Sequence, residues 1–324
     1  MASKVYYTDL RTHNSISLPE KLKKLIKKAG IGEIDFDKKY VAIKIHFGEP
    51  GNLAFLRPNY AKAVADVVKE LGGKPFLTDC NTLYVGGRKN ALDHMESAYE
   101  NGYSPFSTGC HIIIADGLKG TDEALVPVEG GEYVKEAKIG RAVMDADVFI
   151  SLSHFKGHEQ TGFGGALKNI GMGCGSRAGK MEQHSAGKPH VDEETCVGCK
   201  VCAKICAHDA ISFADRKASI NHDKCVGCGR CIGVCLQDAI LPASDESCDI
   251  LNRKIAEYSK AVVDGRPCFH ISLVIDVSPY CDCHAENDIP MLDGADYAFC
   301  PCDGVVADRY ENVCKCADGA VAEV

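Results

Sequence analysis

Short unbroken apolar runs alternate along this chain with longer stretches of helical periodicity. YVAIKIHF (40–47), KPFLTD (74–79), HIIIAD (111–116) and DVFISLS (147–153) lack the every-second-residue polarity of a half-solvated strand, and they read as buried strands. RPNYAKAVADVVKELGG (57–73) carries helical spacing, with Pro58 near its start and glycine at its end, and RKNALDHMESAYENG (88–102) predicts another helix. EALVPVEGGEYVKEAKI (123–139) predicts a hairpin on the sheet edge, turning at Gly130–Gly131. Near the end the pattern resumes with a helix at 249–265 and a strand, FHISLVIDV, at 269–277. Strands alternating with helices predict an α/β fold, a mostly parallel sheet with helices on both faces.

Between the two parts of that pattern lies a different kind of sequence. Cys196, Cys199, Cys202 and Cys206 follow C-x2-C-x2-C-x3-C, and Cys225, Cys228, Cys231 and Cys235 repeat it. CVGCKVCAKICAHDAI and CVGCGRCIGVCLQDAI also agree at Val, Gly, Asp, Ala and Ile, so the segment is an internal duplication. Closely spaced thiolates can occupy three corners of one iron–sulfur cube while the fourth cysteine of the run reaches the neighbouring cube. That logic assigns one 4Fe–4S cluster to Cys196, Cys199, Cys202 and Cys235. It assigns a second to Cys225, Cys228, Cys231 and Cys206. Zinc knuckles, the competing reading, do not need four cysteines in so short a run, repeated. The expected organisation is an α/β domain over 1–189 and 243–324, interrupted at 190–242 by a two-cluster ferredoxin-like α+β module.

Composition narrows the classes. With 324 residues the chain can bury a full core, and its net charge of -8 argues against a nucleic-acid partner, which needs a basic face. The basic run EKLKKLIKK (20–28) sets Leu22, Leu25 and Ile26 at helical spacing, which suits an amphipathic surface helix better than a membrane anchor. No leader-like start and no long apolar span occurs, so a soluble cytoplasmic protein without a membrane partner is expected. Nineteen cysteines, eight of them in C-x-x-C clusters, point to metal rather than to a disulfide framework.

The cysteine repeat resembles the bacterial two-cluster ferredoxin module, although Ala207 and Leu236 stand where that module often has proline. Over a longer stretch, KIHFGEPGN, GGKPFLTDCNTLYVGGRKNALDH, SHFKGHEQTGFGGALKNIGMGC, the eight cysteines and DVSPYCDCHAEND together resemble the iron–sulfur-centre proteins of domain-of-unknown-function family 362. The resemblance runs from about Lys4 to Pro290 and implies iron–sulfur binding by the eight cysteines, without implying a reaction.

Candidate chemistry beyond the clusters comes from the strand ends, where open α/β sheets bind ligands. The first strand is followed by His46 and Glu49, the second by Asp79, Cys80, Asn81 and Thr82, and the third by Asp116. The fourth leads into SHFKGHEQTGFGGALKN (153–169). His154, His158, Lys156 and His46 are the candidate catalytic groups, supplying proton transfer and positive charge. Gly162, Gly164 and Gly165, ahead of a possible helix start, with Lys168, Asp79 and Asn81, are the candidates for binding an anionic ligand or cofactor. The bland alternative is that polar loops cap helices and glycines make turns. Lys44, in an otherwise apolar strand, is either an edge residue or a site member. GCGSRAGKM (173–181) misses the P-loop pattern, and HEQTG misses the zincin one.

Eleven cysteines lie outside the repeat. Cys281/Cys283, Cys300/Cys302 and Cys314/Cys316 form C-x-C pairs, and the first could make a third metal site. Cys80, Cys110 and Cys174 read as small buried hydrophobes. Three functions fit these features: an iron–sulfur oxidoreductase passing electrons to a small anionic substrate, an electron-transfer protein that docks a redox partner protein, and a metal- or cluster-handling protein.

Overall fold

The computed structural model describes residues 4–12, 15–83, 86–158, 161–184, 188–206, 208–225, 229–242 and 248–278, and the backbone alone of 298–301 and 313–316. The chain enters through helix α1 (Leu18–Lys28) and strand β1 (Tyr40–Lys44). It continues with α2 (Pro58–Glu70), β2 (Lys74–Asp79), α3 (Ala91–Glu100), the short α4 (Pro105–Thr108) and β3 (His111–Ile114). A ribbon, β4 (Glu123–Pro127) and β5 (Glu136–Gly140), leads through α5 (Arg141–Asp145) to β6 (Val148–His154). Then come the hairpin strands β7 (Lys156–His158) and β8 (Gly162–Gly164), a π-helical turn over Lys168–Met172, and α6 (Arg177–His184).

The cysteine-rich segment follows, with β9 (Pro189–Val191), α7 (Val201–Ile205), β10 (Ile211–Ala214), β11 (Lys217–Ile220), α8 (Arg230–Val234) and β12 (Ile240–Pro242). The described elements end with α9 (Cys248–Val263), β13 (Cys268–Leu273) and a parallel pair, β14 (Ala298–Pro301) and β15 (Val313–Cys316).

The main sheet has five parallel strands in the order β13-β6-β1-β2-β3. Alternation along each strand sends its residues to two cores. Val41 and Ile43 join α1 and α2 on one face, while Ala42 and Phe149 meet α5 and α9 on the other. Both faces are therefore dry, which is why these strands read as continuous apolar runs. The basic run lies in α1. Its Leu22 and Ile26 are buried in the core and its lysines pair with α2, Lys23 to Asp66 and Lys27 to Glu70.

Two placements differ from the sequence reading. The hairpin of β4 and β5 is a separate two-stranded ribbon, not an edge of the main sheet, because its Ala137 and Ile139 pack into the core beside α9. Lys44 belongs to a central strand, paired on one side with Thr78 and on the other with Ser151, so the edge explanation for it falls away.

The sheet order reverses direction at β1. The chain runs outward from β1 through β2 to β3, then returns to β1's other side with β6 and β13. The carboxyl ends of β1 and β6 thus form the switch point at which open α/β sheets hold ligands. The cysteine-rich segment leaves and rejoins the body side by side, since β9 and β12 pair antiparallel, Pro189 opposite Pro242 and Val191 opposite Ile240.

Candidate functional site

Each repeat builds the same local structure from the same residues. Cys196 and Cys225 precede short helices, α7 and α8, entered through Lys200 and Gly229, both left-handed at φ 66° and 65°. Both helices close on the fourth cysteine with matching backbone angles, φ -77° at Cys206 and -75° at Cys235. The thiols of Cys206 and Cys235 then accept backbone N–H bonds from Ala210 (3.4 Å) and Ala239 (3.3 Å), and that of Cys196 accepts one from Ala218 (3.4 Å).

Two small hollows result, and their linings cross between repeats. One is walled by Cys196, Cys199 and Cys202 together with Cys235. The other is walled by Cys225, Cys231 and Cys206, with Cys228 outside the described residues. Burial pushes the Cys202 thiol up, a cost that bonding to iron as thiolate would offset. Among the described residues no three His, Cys, Asp or Glu side chains gather as a single ion would need. A lone zinc draws its sulfurs to about 2.3 Å, whereas a four-iron cube takes one thiolate at each iron and spreads them around its outside. The donors lining each hollow, cysteine thiols, are those an iron–sulfur cube takes.

The second polar centre lies at the strand ends. Lys44 Nζ, almost fully buried, sits 3.0 Å from Asp79 Oδ1 and donates to Asn169 Oδ1 at 2.9 Å. The Asn169 amide, brought in by the π-helical turn, faces Ser151 Oγ (3.1 Å) and Ser153 Oγ (3.2 Å), which share one face of β6. Gly173 makes room, because a Cβ there would lie 2.6 Å from Lys44 Nζ. Burial works against the charge on Asp79, yet Lys44 and His94 hold its carboxyl well below the usual range. His94 Nε2 is 3.7 Å from Asp79 Oδ2, and burial pushes this imidazole's pKa down.

Beside this pair, Arg88 Nε donates to Glu49 Oε2 at 2.7 Å, and its Nη1 is 2.9 Å from His46 Nε2. Gly48 N–H also donates to His46 Nδ1 at 3.0 Å. A neutral imidazole has one acceptor nitrogen, so these two contacts compete for it.

At the end of β3, Asp116 Oδ1 accepts from Asn81 Nδ2 (2.8 Å) and Asn81 N–H (3.0 Å). Burial raises the Asp116 carboxyl to about 6, although Lys180 and Arg177 pull the other way. Asn81 Oδ1, Asp116 Oδ2, both His94 nitrogens and Arg177 Nε have no hydrogen-bond partner among the described residues. Cys80 and Cys174 are buried here as well, and burial pushes both thiols up, Cys174 to about 11.

The structure brings His46, Asp79, Asn81 and Asp116 to one end of the sheet, where Ser153 and Asn169 of the 153–169 stretch join them. The rest of that stretch goes elsewhere. His154 Nε2 donates to Ile275 O at 2.6 Å, and His158 Nδ1 accepts from Thr161 N–H at 3.1 Å. Gly162 and Gly164 pair with His158 and Lys156 in the hairpin, so only Gly165 stands before the helical turn, and the expected row of free donors is not assembled. Lys156 and Lys168 both run past Gly164. The hairpin side lines a cavity of about 610 Å³, shared with His270 and Ser272 of β13 and Asn252 and Ile255 of α9. Cys281 and Cys283 lie outside the described residues.

The cysteine repeat abuts the β2 and β3 ends. Lys89, next to Arg88, donates to Cys235 O at 3.2 Å and pairs with Asp238. Leu83 and Met181 of the body pack into one apolar cluster with Cys196, Cys202 and Cys231. Arg177 donates to Lys89 O and packs against α8. Sequence reasoning passed over Arg88, His94 and Arg177, because their partners lie far along the chain and no spacing links them.

Comparisons with known proteins place the chain in a family. Residues 41–311 match the family described as a domain of unknown function, DUF362. The chain is 30% identical over 131 residues to the thylakoid-associated protein sll1697 of Synechocystis sp., a match spanning 39% of this chain and 35% of that protein. A crystal structure of a Thermotoga maritima protein aligns at 14% identity and TM-score 0.43, over 82% of this chain and 53% of that one. The lactate racemase apoprotein from Thermoanaerobacterium thermosaccharolyticum aligns at 13% identity and TM-score 0.35, over 54% of this chain and 37% of that one. Among the described residues no helix is long and apolar enough to cross a membrane.

Proposed function

The chain belongs to the DUF362 family, and we propose that it is an iron–sulfur redox protein in which two 4Fe–4S clusters serve a small anionic substrate at the strand ends. The observation that carries the cluster reading is the crossed lining of the two hollows, Cys196, Cys199 and Cys202 with Cys235 in one and Cys225 and Cys231 with Cys206 in the other. Bound clusters would supply single electrons; the polypeptide supplies everything else. Gly198 and the left-handed entries of α7 and α8 bring backbone close to each hollow, and the N–H groups of Ala210, Ala218 and Ala239 stabilise thiolate charge.

The substrate reading rests on the strand ends. Lys44, Arg88, Lys89, Arg177 and Lys180 are buried there, against Glu49, Asp79 and Asp116 as buried acids. An excess of buried cations favours an anion, and each unpartnered buried polar atom costs about 1–3 kcal/mol unless something meets it. Asp116, raised to about 6, is suited to hold or release a proton near neutrality. The contacts of Lys89 and Arg177 with the cysteine repeat support electron delivery to this end of the sheet.

Anaerobic purification should yield about eight iron and eight sulfide per chain. Cys206→Ala should disturb the cluster of Cys225, Cys228 and Cys231, and Cys235→Ala the other. Loss of the 196–202 cluster alone in Cys206→Ala would disprove the crossing. Native mass spectrometry of the purified protein should find a small anion that Asp116→Asn or Lys44→Met alters. Intact clusters with no such ligand would leave a pure electron carrier as the better reading.

A further inference from the structure

The two repeats are alike in backbone but not in what touches them. With the offset of 29 from Cys196 to Cys225, Lys200 and Lys204 of the first repeat correspond to Gly229 and Gly233 of the second. Neither glycine is demanded by its own backbone. Lys200 adopts the same left-handed angles as Gly229, so a side chain is tolerated in that conformation. Gly233 lies inside α8, where glycine is a weaker helix former than alanine.

Both glycines answer to Arg177 instead. A Cβ at Gly229 would come 2.7 Å from Arg177 Cγ, and one at Gly233 would collide with Nη1. The second repeat is notched to admit this side chain, and the first is not.

Arg177 fills the notch as a fully buried cation. Its backbone N–H donates to Gly120 O at 3.0 Å and its Nη2 to Lys89 O, while Nε and Nη1 have no hydrogen-bond partner among the described residues. Two acidic groups lie near enough to act on its charge, Asp116 and Cys231. Asp116 Oδ2 and Arg177 Nε both crowd the bare Cα of Gly120, at 3.1 and 2.9 Å from where a Cβ would stand.

A thiolate-ligated cluster is negative, becomes more so on reduction, and has its potential set by the charges around it. A desolvated cation is poorly screened and acts strongly at short range. We infer that Arg177, seated in the notch of Gly229 and Gly233, favours the reduced state of the cluster assigned to Cys206, Cys225, Cys228 and Cys231 and raises that cluster's potential. The inference rests on the two-cluster reading above.

The test is an EPR-monitored redox titration of the full chain, purified anaerobically, with iron and sulfide measured on every sample. Cys206→Ala and Cys235→Ala assign the two signals. Arg177→Met should lower the midpoint of the second-repeat cluster alone, and Arg177→Lys should restore most of the shift by keeping the charge. Asp116→Asn, which removes the opposing carboxylate without loss of size, should move the same midpoint upward. If Arg177→Met fails to fold, the lysine and asparagine variants still decide. Cluster content at the wild-type level with both midpoints unmoved, or moved together, would overturn the inference alone. Wild-type protein without iron and sulfide would instead remove the reading beneath it.

Discussion

Lys44 Nζ and Asp79 Oδ1 lie 3.0 Å apart at the ends of adjacent central strands, with side-chain exposures of 1% and 4%. A pair this dry is kept by its hydrogen bonds, since the attraction alone barely offsets the loss of hydration. Asn169 accepts from Lys44 at 2.9 Å, and His94 lies 3.7 Å from the carboxylate without a hydrogen bond.

Breaking the pair from one side should therefore be costly. Lys44→Met is expected to lower unfolding free energy by about 3–5 kcal/mol, because it strands a buried carboxylate. The double variant Lys44→Met/Asp79→Leu should regain most of it. Urea unfolding of the four forms measures the coupling; additive losses would show that the two residues act independently.

Acid should weaken the same contact. The folded-state pKa of Asp79 lies below the unfolded value, so its contribution is complete above about pH 4 and is lost as pH falls toward the folded pKa. The unfolding midpoint of Asp79→Asn should start lower at neutral pH and fall less steeply below pH 4 than that of the wild type. Parallel acid profiles would contradict this.

Asp116 should behave in the opposite sense. Its folded pKa, about 6, lies above the unfolded value, so folding favours the proton, and stability falls as pH rises from about 4 to 6. The loss is on the order of 3 kcal/mol at roughly 1.4 kcal/mol per unit. Asp116→Asn should remove this slope, leaving it more stable than the wild type above pH 6. Unfolding curves from pH 4 to 8 would reveal it.

Gly173→Ala should displace Lys44, since the added Cβ would meet its Nζ at 2.6 Å and Cε at 2.7 Å. The expected cost is about 1–3 kcal/mol. It should shrink when Lys44 is shortened to alanine in the same chain. A Gly173→Ala cost that is the same in both backgrounds would place the strain elsewhere.

Iron removal should loosen residues 189–242 and leave the five-stranded sheet folded. The segment's apolar cluster packs Ile232 and Ile240 around Cys196, Cys202 and Cys231, with Leu83 and Met181 reaching in from the body. Hydrogen exchange after anaerobic chelation should show protection lost in α7, α8 and β9–β12 but kept in β1, β2 and β6. Loss of protection throughout would mean that the body leans on the segment for its own stability.

The strands and helices of the body were legible because each obeys a local rule. YVAIK and VFISLSH are apolar on both faces, and PNYAKAVADVVKE has one helical stripe, so period and length alone identify them. The cysteine repeat was legible for a similar reason. A cube demands closely spaced thiolates, and spacing is a property of sequence.

What sequence could not reach were contacts between segments brought together only by folding. Lys44 gave no sign of being central until β6 returned to its side, because strand order depends on where crossovers pack. The glycines of 162–165 looked like a phosphate-type loop, and the antiparallel ladder with Lys156 and His158 took two of them instead. Arg177 is the clearest case. Its notch is cut from Gly229 and Gly233, its counter-charge is Asp116, and its anchor is Lys89 O. These residues are far apart in sequence, and no periodicity relates them. Local rules act over a few residues, where backbone geometry fixes which side chains are neighbours; Arg177 meets its partners only once the sheet and the cysteine segment have packed together.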